Sequence, residues 1–254
     1  MLKTARYGWI PDLPDHRDHF YAAPPSHLTA LPASIDLRGQ CPPVYDQGQL
    51  GSCTANGIAG AIQFDRKKQG ASNDFVPSRL FIYYNERVIE HSVASDNGAQ
   101  IRDGIKSVAK QGDCPETEWP YVVSKFADKP SAKCYTDALK YKAVQYQRVQ
   151  QTLAQIKGCL AEGYPVVVGF TVYESFESDA VAKDGVVPMP TSSETVIGGH
   201  CVLLVGYDDA DSTFWFRNSW GDAWGLQGYG KMPYAYMVDT SLSSDFWTIR
   251  TIAA

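Results

Sequence analysis

The run from Asp46 to Phe64 constrains this chain more than any other stretch. It reads D-Q-G-Q-L-G-S-C-T-A-N and continues G-I-A-G-A-I-Q-F. Glycines and polar turn-formers stop at Ser52 and Cys53, and small and apolar residues follow without a proline, as a buried helix requires. Cys53 therefore stands at a helix N-terminus. Unpaired backbone N–H groups and the positive end of the helix dipole favour an anion there, so a thiolate forms more readily than on a free cysteine. Gln47, a few residues earlier, is placed to donate its side-chain amide toward the same point, beside the Cys53 N–H, where an oxyanion would need donors. Taken alone, such a cysteine is a small packing residue. The downstream sequence decides between the two readings.

The chain has 254 residues, enough for one large domain or two small ones sharing an interface. Its net charge of −5 argues against nucleic acid as a partner. The basic cluster Arg66 to Lys68 fits the C-terminal end of the Cys53 helix, where cations suit the dipole. Neither a signal-peptide core nor a membrane-length apolar run is present, so the expected compartment is the cytoplasm, unless export uses a route without an N-terminal signal. The six cysteines show no metal-type spacing, no cofactor is implied, and reduced thiols are expected.

Five prolines fall from Pro11 to Pro32, and residues 1–31 carry scattered aromatics, among them Tyr7, Trp9, Phe20 and Tyr21. An extended arm that packs on the rest of the protein follows. Its cluster Asp12, Asp15, His16, Asp18 and His19 is expected to be a solvated polar stretch rather than a metal site. After the Cys53 helix, a second is expected over 77–91, with Ser78 near its cap and a stripe of Leu80, Phe81, Tyr84 and Val88. A third runs over 100–110 and ends at Gly112. From 152 the pattern is a short helix, then β-branched and aromatic runs at 165–173, 199–207, 213–220, 227–233 and 245–251 that read as strands. Residues 177–198 read as a long loop. A mainly helical half over about 32–135 followed by a mainly β, barrel-like half over about 136–254 is an α+β architecture, with the cleft between the halves as the natural active site.

A cysteine nucleophile needs a base, and the base needs an orienting group. His200 opens one apolar strand and Asn218 closes the next. Neighbouring antiparallel strands would bring them side by side, with the asparagine oxygen fixing the imidazole. Trp220 and Trp224 are placed to cover that contact.

The set Gln47, Gly51-Ser52-Cys53, Gly199-His200 followed by V-L-L-V-G-Y, and N-S-W-G-D-A-W-G from Asn218 resembles the papain-like cysteine peptidases over roughly residues 31–235. L-P-A-S-I-D-L-R from Leu31 is similar to the family's mature start, and Asn97-Gly98-Ala99 to its substrate-binding turn. The segment Gly185 to Pro190 resembles the bacterial or other microbial branch. The resemblance implies a cysteine endopeptidase acting on proteins or peptides. Cys53 would be the nucleophile, resting as a thiolate beside a His200 imidazolium, with Asn218 orienting His200 and Gln47 in the oxyanion hole. Gly98, Ala99 and Gly199 would bind substrate backbone, with Trp220 alongside, and Ile101 would line an apolar S2 pocket. Leu50 and Thr54 depart from the family pattern, so its disulfide near the nucleophile cannot form, and Cys201 is read as packing. Residues 1–31 then have two possible placements: across the cleft, where they would limit access, or around the back of the fold. Other thiol acyl transfers and a silent binding protein are the competing functions.

Overall fold

The computed structural model describes residues 7–253. In chain order its elements are β1 (Phe20–Tyr21), α1 (Pro25–Thr29), β2 (Ser34–Asp36), α2 (Cys53–Lys68), α3 (Arg79–Ile89), α4 (Ile101–Gln111), α5 (Ala132–Ala138), β3 (Ala143–Val149), α6 (Leu153–Ala161), β4 (Val166–Tyr173), α7 (Asp179–Asp184), β5 (Val196–Asp208), β6 (Thr213–Arg217), β7 (Tyr229–Pro233), α8 (Tyr234–Val238) and β8 (Ser243–Ile252). Helices α2 to α4 form one side of the molecule. The strands form a sheet in the order β1-β3-β8-β4-β5-β6-β7, with β2 paired to β5.

Helix α2 is buried along nearly its whole length, from Cys53 to Arg66. Its small residues allow this: a Cβ at Gly57 would lie 3.2 Å from the Cys201 sulfur, and one at Gly60 would lie 2.9 Å from the Arg217 guanidinium. The helix can thus press its backbone onto β5 of the sheet, and only its last residues reach solvent. Arg66, Lys67 and Lys68 fill its final turn, as the dipole favours.

Ser78 caps α3 by accepting from the Phe81 N–H, and Gly112, at φ +75°, ends α4. Leu80 and Phe81 are buried as expected, but the inward face of α3 departs from the expected stripe beyond them. Tyr83, Asn85, Glu86 and Arg87 turn inward, whereas Val88 is 43 % exposed. The inward polar groups have internal partners: Arg87 donates to the carbonyls of Tyr83 and Val93, and the Thr54 hydroxyl donates to Glu86. Apolar periodicity misplaces a helix face whose polar groups are bonded inside.

The segment 177–198 is more ordered than the loop expected there. Ser178 caps the short helix α7, Gly185 closes it in the left-handed region, and β5 already begins at Val196. The arm also departs from a solvated stretch. Asp12 and Asp18 are almost fully buried against Arg102, Arg148 and Trp247, and β1 pairs in parallel with β3. These acids meet cations and an indole. Among the described residues no cluster of His, Cys, Asp and Glu is arranged to hold a metal, and no helix is long and apolar enough to cross a membrane.

Candidate active site

Three connections set the cleft. The loop before α2 is tied to the segment after β6, since the Gln47 N–H donates to the Ser219 carbonyl at 2.8 Å and the Ser219 hydroxyl donates to Gln47 Oε1 at 2.6 Å. The same loop is tied to the 95–100 turn through the Gly51 N–H on Asp96, which also accepts from Tyr83. Helix α2 lies on β5, the strand that carries His200. Cys53, His200 and Asn218 are thereby held by core packing.

Cys53 is fully buried at the first turn of α2. The backbone N–H groups of Cys201 and Gly8 are near enough to its sulfur to favour the thiolate, which places that sulfur beside the His200–Cys201 peptide. His200 Nε2 lies 2.9 Å from Asn218 Oδ1, and the same oxygen accepts the Ser219 N–H at 2.8 Å. An N–H can only donate, so that Asn218 atom is an oxygen, and His200 Nε2 must carry a hydrogen. The neutral ring therefore keeps its lone pair on Nδ1, which is buried with no hydrogen-bond partner. That is the tautomer a general base requires.

Aromatic rings enclose the imidazole. Trp220 lies 4.9 Å away, Phe170 5.7 Å, Tyr7 5.9 Å and Phe176 6.2 Å, measured between ring centres. Trp224 stacks on Phe176 behind them. Burial pushes His200 down to about 4, against the bond from Asn218. Burial likewise pushes the Cys53 thiol up to about 12, with the backbone N–H groups of Cys201, Gly8 and Thr54 pulling the other way. In this covered state burial disfavours the Cys53 thiolate and the His200 imidazolium alike, against the ion pair expected from the resemblance. The difference comes from exclusion of water, which penalises both charges.

What excludes the water is the arm. Residues Tyr7 to Ile10 lie in the cleft: the Ala99 N–H donates to Gly8 O at 2.7 Å, Ile10 N–H to Ala99 O at 3.1 Å, and Trp9 N–H to Gly199 O at 3.0 Å. Thus Ala99 and Gly199, expected to bind substrate backbone, bind the chain's own backbone, in parallel register at Trp9 and Ala99. Gly98, at φ +86°, is needed for this approach, since a Cβ there would lie 2.0 Å from Gly8 O. Tyr7 donates to Glu177 and packs beside Trp220. From the cleft the arm runs on to β1, which pairs with β3 at the edge of the sheet. Residues 1–6 fall outside the described part.

Ile101 opens α4 and is buried in the same core as Trp9. The pocket that Trp9 fills, however, is not wholly apolar. A Cβ on Gly169 would lie 2.0 Å from the indole, and one on Gly199 2.8 Å from it, so the missing side chains make the space. The indole N–H reaches Asp245 Oδ2 at 3.1 Å. Neither Gly169 nor Asp245 stands out by motif. The available signal is a lone acid inside the otherwise uncharged strand start S-S-D-F-W. Gln47 is buried and its amide nitrogen donates to Leu50 O at 2.8 Å. Cys201 is fully packed, and burial raises its thiol well above the usual range.

The family model described as papain family cysteine protease matches residues 31–245. The chain belongs to the papain family of cysteine peptidases. A peptidase C1-like protein of Acanthamoeba polyphaga mimivirus is 50 % identical over 98 % of this chain and 88 % of its own length. Among solved structures, xylellain, a cysteine protease from Xylella fastidiosa, superposes with a TM-score of 0.93 at 48 % identity, covering 99 % of this chain and 98 % of its own. Digestive procathepsin L2 from Tenebrio molitor shares the fold, with a TM-score of 0.74 at 24 % identity over 98 % of this chain and 78 % of its own. Cys53 and His200 lie beneath residues of the chain's own N-terminal arm.

Proposed function

We propose that this peptidase is an endopeptidase that cleaves proteins or peptides through Cys53 and His200, and that residues 1–31 limit access to the cleft. The observation that carries the first part is the unpartnered His200 Nδ1, with Nε2 fixed by Asn218 and the Cys53 sulfur beside the same strand. When the arm leaves, water and substrate dipoles reach the dyad and the Cys53 proton moves to Nδ1. The thiolate attacks the peptide carbonyl carbon, and the oxyanion is met by the Cys53 N–H and the Gln47 amide. His200 then gives its proton from Nδ1 to the leaving amine, leaving an acyl-enzyme. Water attacks the thioester with His200 taking its proton, and the sulfur leaves as the second product is released.

The support for self-inhibition is that substrate-type backbone sites at Ala99 and Gly199 already have partners from residues 8–10. Six free cysteines, five of them buried, favour a reducing compartment such as the cytoplasm. The test is product analysis of a folded protein and of fluorogenic peptides under reducing conditions. New termini inside the chain that vanish with Cys53→Ala support the reading. Ammonia release or trimming from one end would replace it with deamidation or exopeptidase action, and no turnover with an unreactive Cys53 would leave a silent binding protein.

A further inference from the structure

Gln47 can serve an oxyanion only while its backbone is held, and three residues hold it. Its N–H donates to the Ser219 carbonyl, its own carbonyl accepts the Tyr121 hydroxyl at 2.9 Å, and the Asp46 carbonyl just before it accepts Arg79 Nη1 at 3.0 Å. Ser219 belongs to the segment after β6. The other two come from the start of α3 and from the segment between α4 and α5. Hydrogen accounting fixes the direction of this second set. A carbonyl can only accept, so the Tyr121 hydrogen lies on Gln47, and the 2.6 Å contact between Ser52 Oγ and the Tyr121 oxygen must be donated by Ser52. Ser52 accepts in turn from Asn56 Nδ2 at 3.1 Å, and Asn56 Oδ1 accepts from Arg79 Nη1 at 3.2 Å. The bonds thus run from Arg79 through Asn56, Ser52 and Tyr121 to Gln47, and Arg79 closes the ring at Asp46. Arg79 is itself fixed by two parallel bonds to Glu116, at 2.9 and 2.8 Å, and its guanidinium carbon lies 4.0 Å from the centre of the Tyr121 ring. Gln47, Ser52 and Asn56 are fully buried and Arg79 nearly so, which shuts water out of the ring.

We propose that Tyr121, held by Arg79 and Glu116, is a positioning residue that acts through Gln47 on the oxyanion. The inference rests on the thiol chemistry of the endopeptidase reading and adds to it a support that the motif residues do not contain. Gln47 Oε1 is taken by the Ser219 hydroxyl, so the nitrogen end of the amide is the end that donates. Where that end points is then set by the backbone that Tyr121 and Arg79 pin. Loss of the Tyr121 bond lets the loop drift by a fraction of an ångström, which lengthens a donor needed only once negative charge has developed. Turnover therefore suffers, while ground-state binding and the thiol do not.

The test uses the full-length chain carrying Trp9→Ala, which takes the arm's indole out of the cleft, with a p-nitrophenyl ester and a fluorogenic peptide as substrates. Tyr121→Phe keeps the ring and its stacking on Arg79 and deletes the bond to Gln47. It should lower kcat roughly tenfold on both substrates, with KM little changed. Alkylation of Cys53 by iodoacetamide forms no oxyanion, so its rate should stay the same. In a Gln47→Ala background, itself slower by about 10²-fold, Tyr121→Phe should have no further effect. Glu116→Gln, at the more exposed end of the network, should give the same pattern with a fall of roughly threefold. A fall that persists in the Gln47→Ala background, an equal fall in alkylation, or an unchanged kcat overturns the proposal. Ester turnover without peptide cleavage counts against the endopeptidase reading, while the ester rates still judge Tyr121. A parent chain that no ester acylates has no oxyanion to position, and that result overturns both.

Discussion

The proposed catalytic groups and the segment lying across them are held by different physics. Cys53, His200 and Asn218 sit on elements packed into the core, and the small residues of α2 let its backbone press onto β5. The arm between Tyr7 and Asp18 inserts the Trp9 indole, rests the Tyr7 ring beside His200 and Trp220, and is otherwise held by polar bonds to Glu177, Ala99, Gly199, Arg102, Arg148 and Asp245. Water or a substrate can replace those bonds, whereas nothing replaces close packing in the core. The proposed catalytic groups are therefore held more firmly than the segment that covers them.

The most severe break in that contrast is at the nucleophile. Cys53→Ala should lower peptide hydrolysis by about 10⁴-fold or more, measured as initial rate on a fluorogenic peptide, with the thermal midpoint little changed. Next in size is the seating of the cover. A Cβ at Gly8 would lie 1.8 Å from the Gly51 carbonyl oxygen. Gly8→Ala should therefore unseat the arm and leave the core intact, raising alkylation of Cys53 on the order of a hundredfold. An unchanged labelling rate would mean that the cleft opens by another route.

A smaller effect is expected from pH. Burial first, and then the neighbouring Asp245, raise Asp12 from the usual 3.8 to about 6. A carboxyl made a weaker acid by covering favours the covered form below pH 3.8, and that contribution is lost as pH rises through about 6. The dyad adds nothing to this, because thiol with imidazole and thiolate with imidazolium carry the same number of protons. Relative to a chain lacking residues 1–10, Cys53 labelling in the natural chain should speed up roughly tenfold between pH 4 and 7, and Asp12→Asn should remove the excess. The smallest effect is at the tip. Tyr7→Phe deletes only the hydroxyl that donates to Glu177, and should raise labelling about fivefold.

The same contrast explains what is legible in the sequence. Cys53, His200 and Asn218 can be read because each stands at the edge of a helix or strand whose pattern is strong, and strand pairing then brings the last two together. The start of α2, the Ser78 cap and the Gly112 stop are local signals of the same kind. The polar part of the α3 face is not readable, since the inward turn of Glu86 and Arg87 depends on Thr54 and on the Phe126 carbonyl, both distant in the chain. The course of the arm depends on parallel pairing of β1 with β3 across more than a hundred residues, and no local pattern specifies it. Asp245 acquires its place only when β8, β4 and the arm meet. The protonation of the dyad is hidden for the same reason: the residue types suggest an ion pair, but the water that would support it is displaced by Tyr7 to Ile10.

One comparison tests the central claim most directly: hydrolysis of an internal peptide bond by the natural chain and by a chain lacking residues 1–10, which keeps β1, α1 and β2. A peptidase covered by its own N-terminal residues should gain turnover on their removal, and lose it in either form with Cys53→Ala. Equal turnover in the two forms, at equal Cys53 labelling, would contradict the account.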